Sequence, residues 1–412
     1  MSLPFSPSVF FTKNKNILIA FIACAILIIH TCIWVAMPND NLIFHNPDSY
    51  SYLSVSEHLN ANEVRTIGYP LFIYLTKSLF KNNYEIALFI AQLLLVGGVY
   101  FIVLSKLFKR NVGFLLLALF FIANPSLIIY ARCMLTEVLF TFLLTLYTAL
   151  HYYGYSRKST SMQVLAFGVF CLAVLVRPGL LPLCIILLFV YLLLHLKRGN
   201  IKQTLLISIL FLGLIGSQAY RYQKTFGEYR ISMIGDITTY RYFNTKILSL
   251  ANNTTVSYEM HKADSVLNSM NFQNPKTLRR YMHNVSYQTL QKHPMQAVRA
   301  YFENLVSNTH NGNMSYEGNK KISRQVFLIT RVFTILSVVL LLFANLFVLI
   351  TYYRNRISDW PLWWLICVCN YLFFSAGISF WQGDRFVIIW IPTLIFCLSV
   401  MHKKNTAENY IL

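Results

Sequence analysis

The sequence is poor in charged residues, and poorest in acidic ones. Asp, Glu, Lys and Arg make up 12% of its 412 residues, whereas 56% of the residues are hydrophobic. Ordinary soluble domains carry about 25% charged residues, so this composition predicts a membrane protein. The 35 basic residues exceed the 15 acidic ones, for a formal net charge of +20. In a soluble protein this excess would favour nucleic acid. Here much of it lies at the ends of apolar runs, so we predict no nucleic-acid partner.

Several motifs that mark common enzyme classes are missing. The chain has no P-loop, no glycine-rich dinucleotide fingerprint, no HExxH and no GxSxG, which argues against the chemistries that depend on them. Its eight cysteines lie in or beside apolar runs, and none forms a CxxC pair. We therefore predict neither a disulfide framework nor a zinc cluster. The sequence also has no internal repeat of the kind that many transporters show.

Long apolar runs predict an all-α polytopic fold. A membrane-spanning helix needs about 17–25 mostly apolar residues, and short loops rich in Lys and Arg stay cytoplasmic. We predict ten spans: Ile17–Met37, Ile86–Leu107, Gly113–Tyr130, Met134–Tyr153, Met162–Val176, Gly179–Leu196, Thr204–Tyr220, Val326–Tyr352, Pro361–Phe380 and Phe386–Met401. This count leaves every cytoplasmic segment basic, with Lys13/Lys15, Lys106/Lys109/Arg110, Arg157/Lys158, Lys197/Arg198/Lys202, Arg354/Arg356 and Lys403/Lys404. Both termini are therefore predicted to be cytoplasmic, and the chemistry is expected outside.

Polar stretches divide the chain into three parts. Residues 1–220 form a transmembrane core with a first outer loop at 38–85, residues 221–325 form an outer, mostly helical cap, and residues 326–412 hold the last spans. In the cap, the run Pro294–His310 places Met295, Val298, Phe302 and Leu305 on one helical stripe. This helix is expected to lie on the outer leaflet or to cover the core.

The first outer loop carries the best-placed carboxylate. Asn46 suits a helix cap and Pro47 the first helical position, so Asp48 falls in the first turn, where the helix dipole favours a negative charge. The alternative is that Asp48 only completes a good helix start. The loop ends in a second apolar run, Leu71–Phe80, which is too short to span the membrane.

Further candidates lie in the same loop and at other outer boundaries. From the loop we select the aromatic residues Tyr50, Tyr52 and Tyr69 and the basic residue Arg65. From the later boundaries we select Arg132, Glu137, Arg177, Asp384 and Arg385. Single arginines at such positions often only extend their charge to the membrane interface. A structural ion pair between Arg132 and Glu137 would explain these two residues without a role in binding. Several arginines on one face favour a shared anion site, such as one for a lipid phosphate. Arginines that hold a phosphate leaving group would serve group transfer from an activated lipid donor.

Five short segments resemble one enzyme superfamily. The run 47–71, with Pro47-Asp48-Ser49-Tyr50 and Arg65-Thr66-Ile67-Gly68-Tyr69-Pro70-Leu71, resembles the first outer loop of GT-C glycosyltransferases. The similarity is greatest to the protein O-mannosyltransferase-like branch, which includes the lipid A aminoarabinose transferases. Segments 134–140, 176–178 and 383–386 resemble later motifs of that branch, and His293-Pro294 with its helix resembles the segment before the late spans. Residues 221–290 have no recognisable counterpart.

The resemblance implies a GT-C-like fold and an inverting transfer on the outer face from a polyprenyl-phosphate sugar to a glycan, lipid or protein acceptor. Asp48 would take the acceptor proton as general base, and Arg177, with Arg132 or Arg385, would contact the phosphate. A divalent metal is used by some members, so a metal site stays open for this chain. Ser49 stands where many relatives carry a second acid, which puts the acceptor in doubt. The expected location is a bacterial inner (plasma) membrane, with the site on the periplasmic face.

Three other functions remain open on the sequence alone. A transporter or flippase of lipid-linked saccharides would use the same donor, but the chain lacks repeats and has almost no charge within its spans. A polymerase or ligase of lipid-linked glycans would share the outer arginines. A non-catalytic assembly partner would tolerate the loss of Asp48.

Overall fold

The structure is a computed structural model, and it describes residues 43–107, 112–270, 274–316, 320–353 and 360–408. Every regular element in these ranges is helical, and the one extended pairing there is an isolated bridge between Phe44 and Cys133. The prediction of an all-α fold is confirmed for this part of the chain.

Eight α-helices form the first part of the molecule. They are α1 (Pro47–His58), α2 (Gly68–Phe80), α3 (Tyr84–Leu107), α4 (Val112–Ala123), α5 (Ser126–Ala131), α6 (Glu137–Ser156), α7 (Thr160–Val176) and α8 (Leu181–Lys197). Helix α1 begins as predicted. Pro47 occupies its first position, Asp48 lies in its first turn, and the backbone N–H of Asn46 donates to Ser49 Oγ at 3.0 Å.

The remaining elements build the cap and the last apolar helices. Helix α9 (Ile201–Phe211) continues through a π-helical turn, Leu212–Gly216, into α10 (Ser217–Phe226). The cap then holds α11 (Ile234–Ile237), a π-helix at Thr238–Asn244, α12 (Thr245–Asn252), α13 (Val256–Ser269), α14 (Pro275–Lys292) and α15 (Pro294–His310). The last helices are α16 (Lys320–Tyr353), α17 (Trp360–Ser375), α18 (Arg385–Ile388) and α19 (Ile391–Glu408).

Five helical segments are long and apolar enough to cross a membrane: Gly68–Leu107, Pro178–Lys197, Ile201–Phe226, Lys321–Tyr353 and Trp360–Ile378. Shorter apolar helices cover Leu116–Ala131, Thr160–Val176 and Ile391–Met401. These helices support a membrane protein. The total of ten spans stays a prediction, and its first span, Ile17–Met37, lies outside the described residues.

Two predicted spans are interrupted at prolines. The run Gly113–Tyr130 is two helices, because α4 ends at Ala123 and α5 begins after Pro125. The last predicted span, Phe386–Met401, is divided between α18 and α19, which begins one residue before Pro392. Proline has no N–H to donate to the preceding turn, so a helix more often starts at it than runs through it.

Helix α6 lies at the centre of the core and packs against α3, α7, α17 and α19. Its side chains Phe140, Leu144 and Tyr147 are fully buried. Its buried threonines Thr141 and Thr145 donate to the carbonyls of the residues four positions earlier, at 2.6 and 2.7 Å. Their hydroxyls thus need no partner from a neighbouring helix.

The first outer loop and the cap are both fastened to this core. Ser49 Oγ donates to the carbonyl of Met134 at 2.9 Å, just before α6 begins. Met233 in the cap donates its backbone N–H to the carbonyl of Glu63 at 2.7 Å. Helix α15 crosses the end of α17, where Asn304 and Asn308 donate to main-chain carbonyls. Loop, cap and helix ends therefore enclose one space.

Candidate functional site

That space is a cavity of about 490 Å³. Its walls come from the first outer loop, the start of α6, the turn between α7 and α8, the π-helix of the cap, and the segment from the end of α17 to α18. Its charged lining residues are Asp48, Arg65, Arg177 and Arg385. All four were selected from the sequence, although they are up to 337 positions apart.

An unbroken chain of ion pairs runs along this cavity in the order Arg65–Asp48–Arg385–Glu137–Arg177, hereafter the ion-pair chain. Asp48 Oδ1 accepts from Arg65 Nη2 at 2.7 Å, and Asp48 Oδ2 lies 3.4 Å from both terminal nitrogens of Arg385. Burial alone would raise the pKa of Asp48, but the guanidiniums of Arg385 and Arg65 outweigh it and hold that pKa below its ordinary value. Asp48 is therefore ionised at neutral pH.

Glu137 is the buried anchor of the ion-pair chain. Its side chain is 0% exposed, and its Oε1 accepts from Arg177 Nη2 and from Arg385 Nε, both at 2.6 Å. Its second oxygen has no hydrogen-bond partner among the described residues. Because one carboxylate oxygen holds two guanidiniums, Arg177 and Arg385 are brought side by side at the cavity wall. Glu137 does not pair with Arg132, which corrects the structural explanation considered above.

Arg65 is held by its own loop. Its Nε donates to Ser51 Oγ at 2.8 Å and its Nη1 to Tyr52 Oη at 2.9 Å. The guanidinium also lies 4.4 Å from the centre of the Tyr52 ring. Charged hydrogen bonds and a cation–π contact restrict this long side chain. Arg65 thus presents a preorganised charge to Asp48.

Local backbone chemistry places Arg177. Helix α7 ends at Val176, and Arg177 is extended at φ −131° and ψ 99°. The following residue, Pro178, disfavours the helical region for the residue before it. The Arg177 side chain then turns back to α6, where its Nε donates to Thr136 Oγ1 at 3.2 Å. An arginine followed by proline at the turn between α7 and α8 therefore places its charge at the cavity.

Close packing at a glycine brings the loop against this turn. A Cβ added to Gly68 would lie 2.6 Å from both the carbonyl carbon and the oxygen of Leu175, so a larger residue would push α2 away from the end of α7. Gly383 plays a similar part before Arg385. It has φ +60°, and an added Cβ would lie 2.7 Å from the carbonyl oxygen of Gly312.

Besides Glu137, which is enclosed behind its arginines, four further predicted site residues do not line the cavity. Arg132 is buried, and its guanidinium lies 4.8 Å from the centre of the Phe44 ring. Tyr50 is 65% exposed on α1, beside His45. Tyr69 is buried behind Tyr52, with ring centres 5.1 Å apart, and its hydroxyl donates to Gln92. Tyr52 itself lines the cavity. The three tyrosines of the loop therefore have different surroundings: Tyr52 faces the cavity, Tyr69 packs behind it, and Tyr50 is exposed.

Asp384, the fourth, is buried and faces away from its neighbour Arg385. Its carboxylate accepts from the hydroxyls of Ser126 and Tyr130, the latter at 2.6 Å. Burial raises the pKa of Asp384, although these two hydrogen bonds act in the opposite direction. Asp384 therefore ties the start of α18 to α5 and supports the position of Arg385 from behind.

The site chemistry suits an anion better than a metal ion. Among the described residues, no three His, Cys, Asp or Glu side chains come close enough to hold a metal. Asp48 and Glu137 are each neutralised by two guanidiniums, which occupy the positions a cation would need. Asp384 points elsewhere. Metal use remains a prediction from the family resemblance. The described residues do not support a metal site.

The sequence predicted that the cap would help to enclose the active cavity, but it did not identify the lining residues of the cap or of α17. The cap supplies Ile234, Gly235, Thr238, Thr239 and Tyr242; the end of α17 and the segment after it supply Tyr371, Ser375, Ser379 and Gln382. These are uncharged residues in segments without a recognisable motif. Only the high tyrosine and threonine content of the cap could have drawn attention to it.

Comparisons with models of known families, with curated proteins and with solved structures found no match for this chain.

Proposed function

We propose that this protein is a membrane glycosyltransferase. It moves a sugar from a polyprenyl-phosphate carrier to a hydroxyl or phosphate of an acceptor, on the outer face of a bacterial inner membrane. The observation that supports this proposal is the ion-pair chain, which gathers three arginines and a partly exposed aspartate at one cavity. The motif resemblance described above is a separate argument for the same function.

The charges of the ion-pair chain favour an anionic ligand. Three guanidiniums and two carboxylates leave one uncompensated positive charge beside the cavity. Arg177 and Arg385 lie together on Glu137, so their remaining N–H groups are available to a phosphate. Planar guanidiniums bind phosphate oxygens in a bidentate manner, and they stabilise the charge that develops on a leaving phosphate.

The apolar part of the lining fits the lipid portion of such a donor. It includes Val176, Pro178, Leu180, Leu372, Ile378 and Ile389. Several of these residues belong to the outer ends of Pro178–Lys197 and Trp360–Ile378, two of the candidate spans. A carrier lipid lying between these helix ends would bring its phosphate to the arginines while its chain stayed in the bilayer.

Asp48 is the group we assign to the acceptor. Its side chain is 39% exposed and lines the cavity, whereas Glu137 is fully enclosed. In the proposed step a bond forms between the acceptor oxygen and the anomeric carbon as the bond from that carbon to the phosphate oxygen breaks. The phosphate leaves with the electron pair, and Asp48 takes the acceptor proton. The lowered pKa of Asp48 makes it a weak base, so this proton moves late in the step.

Reconstitution of the purified protein in liposomes tests the proposal. Undecaprenyl phosphate carrying a radiolabelled sugar is supplied with extracted cell-envelope acceptors, and transfer of label is measured. Arg177→Ala should reduce transfer and donor binding at least tenfold, and Arg177→Lys should restore only part, because an ammonium cannot form the bidentate contact. Arg299→Ala, at a 68% exposed arginine on α15, is the matched control.

Two results would contradict the proposal. Donor binding unchanged in Arg177→Ala would remove the arginine from the phosphate site. Movement of the lipid-linked sugar across the bilayer without transfer would instead favour a flippase. Mass spectrometry of surface glycans from cells with and without the protein would identify the product.

A further inference from the structure

A second set of polar residues lines the cavity and carries no charge. Thr238 and Tyr242 come from the π-helix of the cap, and Gln382 comes from the segment before α18. The Tyr242 ring packs edge-on against Phe380, with ring centres 5.4 Å apart. π-helical turns are rare and often occur at functional sites. We call these three residues the uncharged wall.

The uncharged wall has unused hydrogen-bonding capacity. Within the part of the chain that the structure describes, the hydroxyls of Thr238 and Tyr242 form no hydrogen bond. The amide nitrogen of Gln382 donates to the carbonyl of Phe380 at 3.2 Å, and its amide oxygen has no donor among the same residues. Hydroxyls both donate and accept, and an amide oxygen accepts. Such a set suits the hydroxyl groups of a neutral sugar.

The charged part of the lining leaves no partner for an ammonium group. Asp48 is the one carboxylate among the described lining residues; Arg65 and Arg385 balance its charge, and the proposed step uses its remaining lone pairs for the acceptor hydroxyl. Glu137 is shielded behind Arg177 and Arg385. A buried ammonium without a carboxylate partner would be costly, so an amino sugar is poorly served here.

The net charge of the ion-pair chain also limits how much negative charge the donor can carry. Three guanidiniums against two carboxylates leave a charge of one. A phosphodiester linking a lipid to a sugar carries one negative charge, which this balance neutralises. A pyrophosphate or an acidic sugar would bring at least one further charge into a partly buried site without a counter-charge.

We propose that the donor carries a neutral sugar through a single phosphate, and that Thr238, Tyr242 and Gln382 bind the hydroxyls of that sugar. This inference rests on the proposed function and makes its substrate class specific. It separates the chain from transferases of amino sugars, although its motifs resemble theirs, and from enzymes that act on pyrophosphate-linked glycans.

Equilibrium binding to the protein in nanodiscs tests the inference. The probes are undecaprenyl phosphate alone, undecaprenyl phosphate bearing glucose, mannose, galactose or 4-amino-arabinose, and undecaprenyl pyrophosphate bearing glucose. At least one neutral monophosphate sugar should bind about tenfold or more tightly than the bare carrier, and the amino-sugar and pyrophosphate probes should not. Tyr242→Phe and Thr238→Val should each remove several-fold of this gain without changing the affinity for the bare carrier.

The outcomes separate this inference from the proposed function. The matched control is Tyr258→Phe, at an exposed tyrosine of the cap that does not line the cavity. If the bare carrier binds and the amino-sugar or pyrophosphate probe binds best, or if no sugar adds affinity, the inference is wrong and the function stands. If neither the bare carrier nor any sugar-bearing carrier binds, both are wrong.

A different observation concerns the outer surface of α15. Its residues Met295, Val298, Phe302 and Val306 are all more than half exposed and follow one stripe of the helix. Leu305, which the sequence placed on the same stripe, is buried against the core instead. The buried side carries Asn304 and Asn308. Helix α15 therefore has one side on the protein and an apolar side without a described partner.

Three hydrogen bonds hold α15 at the end of α17. Asn304 donates to the carbonyl of Gly377 at 3.1 Å, Asn308 donates to that of Ser379 at 2.6 Å, and Tyr301 Oη donates to that of Phe374 at 2.9 Å. All three acceptors lie at or next to the end of the candidate span Trp360–Ile378. An added Cβ on Gly377 would lie 2.4 Å from the Tyr301 ring, so the contact is close. Helix α15 thus packs against the end of this candidate span.

We infer that the apolar stripe of α15 lies in the outer leaflet. Its position at a span end makes it continuous with exposed apolar residues there, Phe374 and Trp381. The flanking Arg299 is 68% exposed and can reach lipid headgroups. An amphipathic helix with this distribution binds the interface plane through its apolar side.

Nitroxide labels on single introduced cysteines test this placement in liposomes, with the signal of the unmodified chain subtracted. Labels at Val298 and Phe302 should collide readily with oxygen and poorly with a water-soluble nickel complex, whereas a label at Tyr258 should show the reverse. Free access of the nickel complex to Val298 and Phe302 would show a water-exposed stripe. Spin–spin broadening at these positions would show a second copy there. Either result would overturn the inference.

Discussion

Two buried polar clusters lie on opposite parts of α6, and they are stabilised in different ways. At its start, Glu137 joins two arginines of the ion-pair chain beside a cavity. About 21 Å further along the helix, His151 Nδ1 lies 2.6 Å from Tyr191 Oη, and the two rings stack. The second cluster, with His195 and Trp360 nearby, contains aromatic rings and no ion pair among the described residues.

The difference shows what each environment permits. Charges persist at the first cluster because each carboxylate has two guanidinium partners and the arginines reach the cavity. The aromatic cluster does not line that cavity. It contains ring nitrogens of His151 and His195 that have no hydrogen-bond partner among the described residues. We therefore expect changes in the first cluster to affect chemistry and stability, and changes in the second to affect stability alone.

The largest effect is expected for Asp48→Asn. Asparagine keeps the size and can still accept from Arg65, but it cannot take the acceptor proton. A positioned base contributes about 10²–10⁴-fold, so transfer should fall by that factor while donor binding persists. The measurement is single-turnover transfer from the reconstituted protein. Glu57→Gln, at an exposed acid on the same helix, is the control. Transfer within a few-fold of the unchanged protein would exclude Asp48 as the base.

The next effect is expected for Glu137→Gln, which leaves Arg177 and Arg385 without their shared carboxylate. Removing one partner of a buried ion pair costs about 3–5 kcal/mol, and the partial exposure of both arginines favours the lower limit. Thermal unfolding in detergent should detect this loss, together with weaker binding of undecaprenyl phosphate. Glu303→Gln removes a half-buried acid that also pairs with two basic residues, Lys246 and Arg299, and it should cost less than about 1 kcal/mol. Equal losses in the two variants would contradict the anchoring role.

Gly68→Ala tests the contact that brings the first outer loop to Arg177. The added methyl would meet the backbone of Leu175, so we expect destabilisation of about 3 kcal/mol and reduced transfer. Gly97→Ala adds the same methyl to α3, where no atom lies within 4 Å. This control should be neutral or more stable by up to about 1 kcal/mol. Full stability of Gly68→Ala would mean that α2 can move without affecting the site.

A smaller effect is expected for Tyr191→Phe in the aromatic cluster. The change removes the hydroxyl partner of His151 Nδ1 and should cost about 1–2 kcal/mol. Transfer per folded molecule should not change, which is the result that separates the two clusters. Tyr155→Phe, whose hydroxyl makes no hydrogen bond within the described ranges, controls for loss of polarity. A selective loss of transfer in Tyr191→Phe would show that the aromatic cluster affects the chemistry as well as the stability.

The smallest effect is expected from pH. Asp48 has a lowered pKa when folded, so its ion pairs stabilise the protein fully above its ordinary pKa of 3.8 and lose this effect as pH falls through the folded pKa. Binding of undecaprenyl phosphate should therefore show no Asp48-dependent change above about pH 5. A titration of binding for the unchanged protein and Asp48→Asn checks this. A difference that first appears between about pH 6 and pH 8 would show that Asp48 is not held by its arginines.

The sequence allowed much of the charged part of the site to be predicted. Asp48, Arg65, Arg177 and Arg385 line the cavity, because a charge at the edge of an apolar helix has few positions open to it. Arg132 has the same local context, yet it packs on Phe44. Local context alone cannot distinguish these cases, since which residues face each other depends on how the helices pack.

What the sequence determined by itself was the helical, membrane-type character of the chain and the ends of some of its elements, such as the start of α1 at Pro47. These features depend on the hydrophobicity, capping and proline positions of neighbouring residues. Only the tertiary structure decided that Arg385 joins Asp48 to Glu137, and that uncharged cap residues complete the cavity. An ion pair between segments far apart in the chain forms only when packing brings its members within a few ångströms, and this distance is a property of the whole fold.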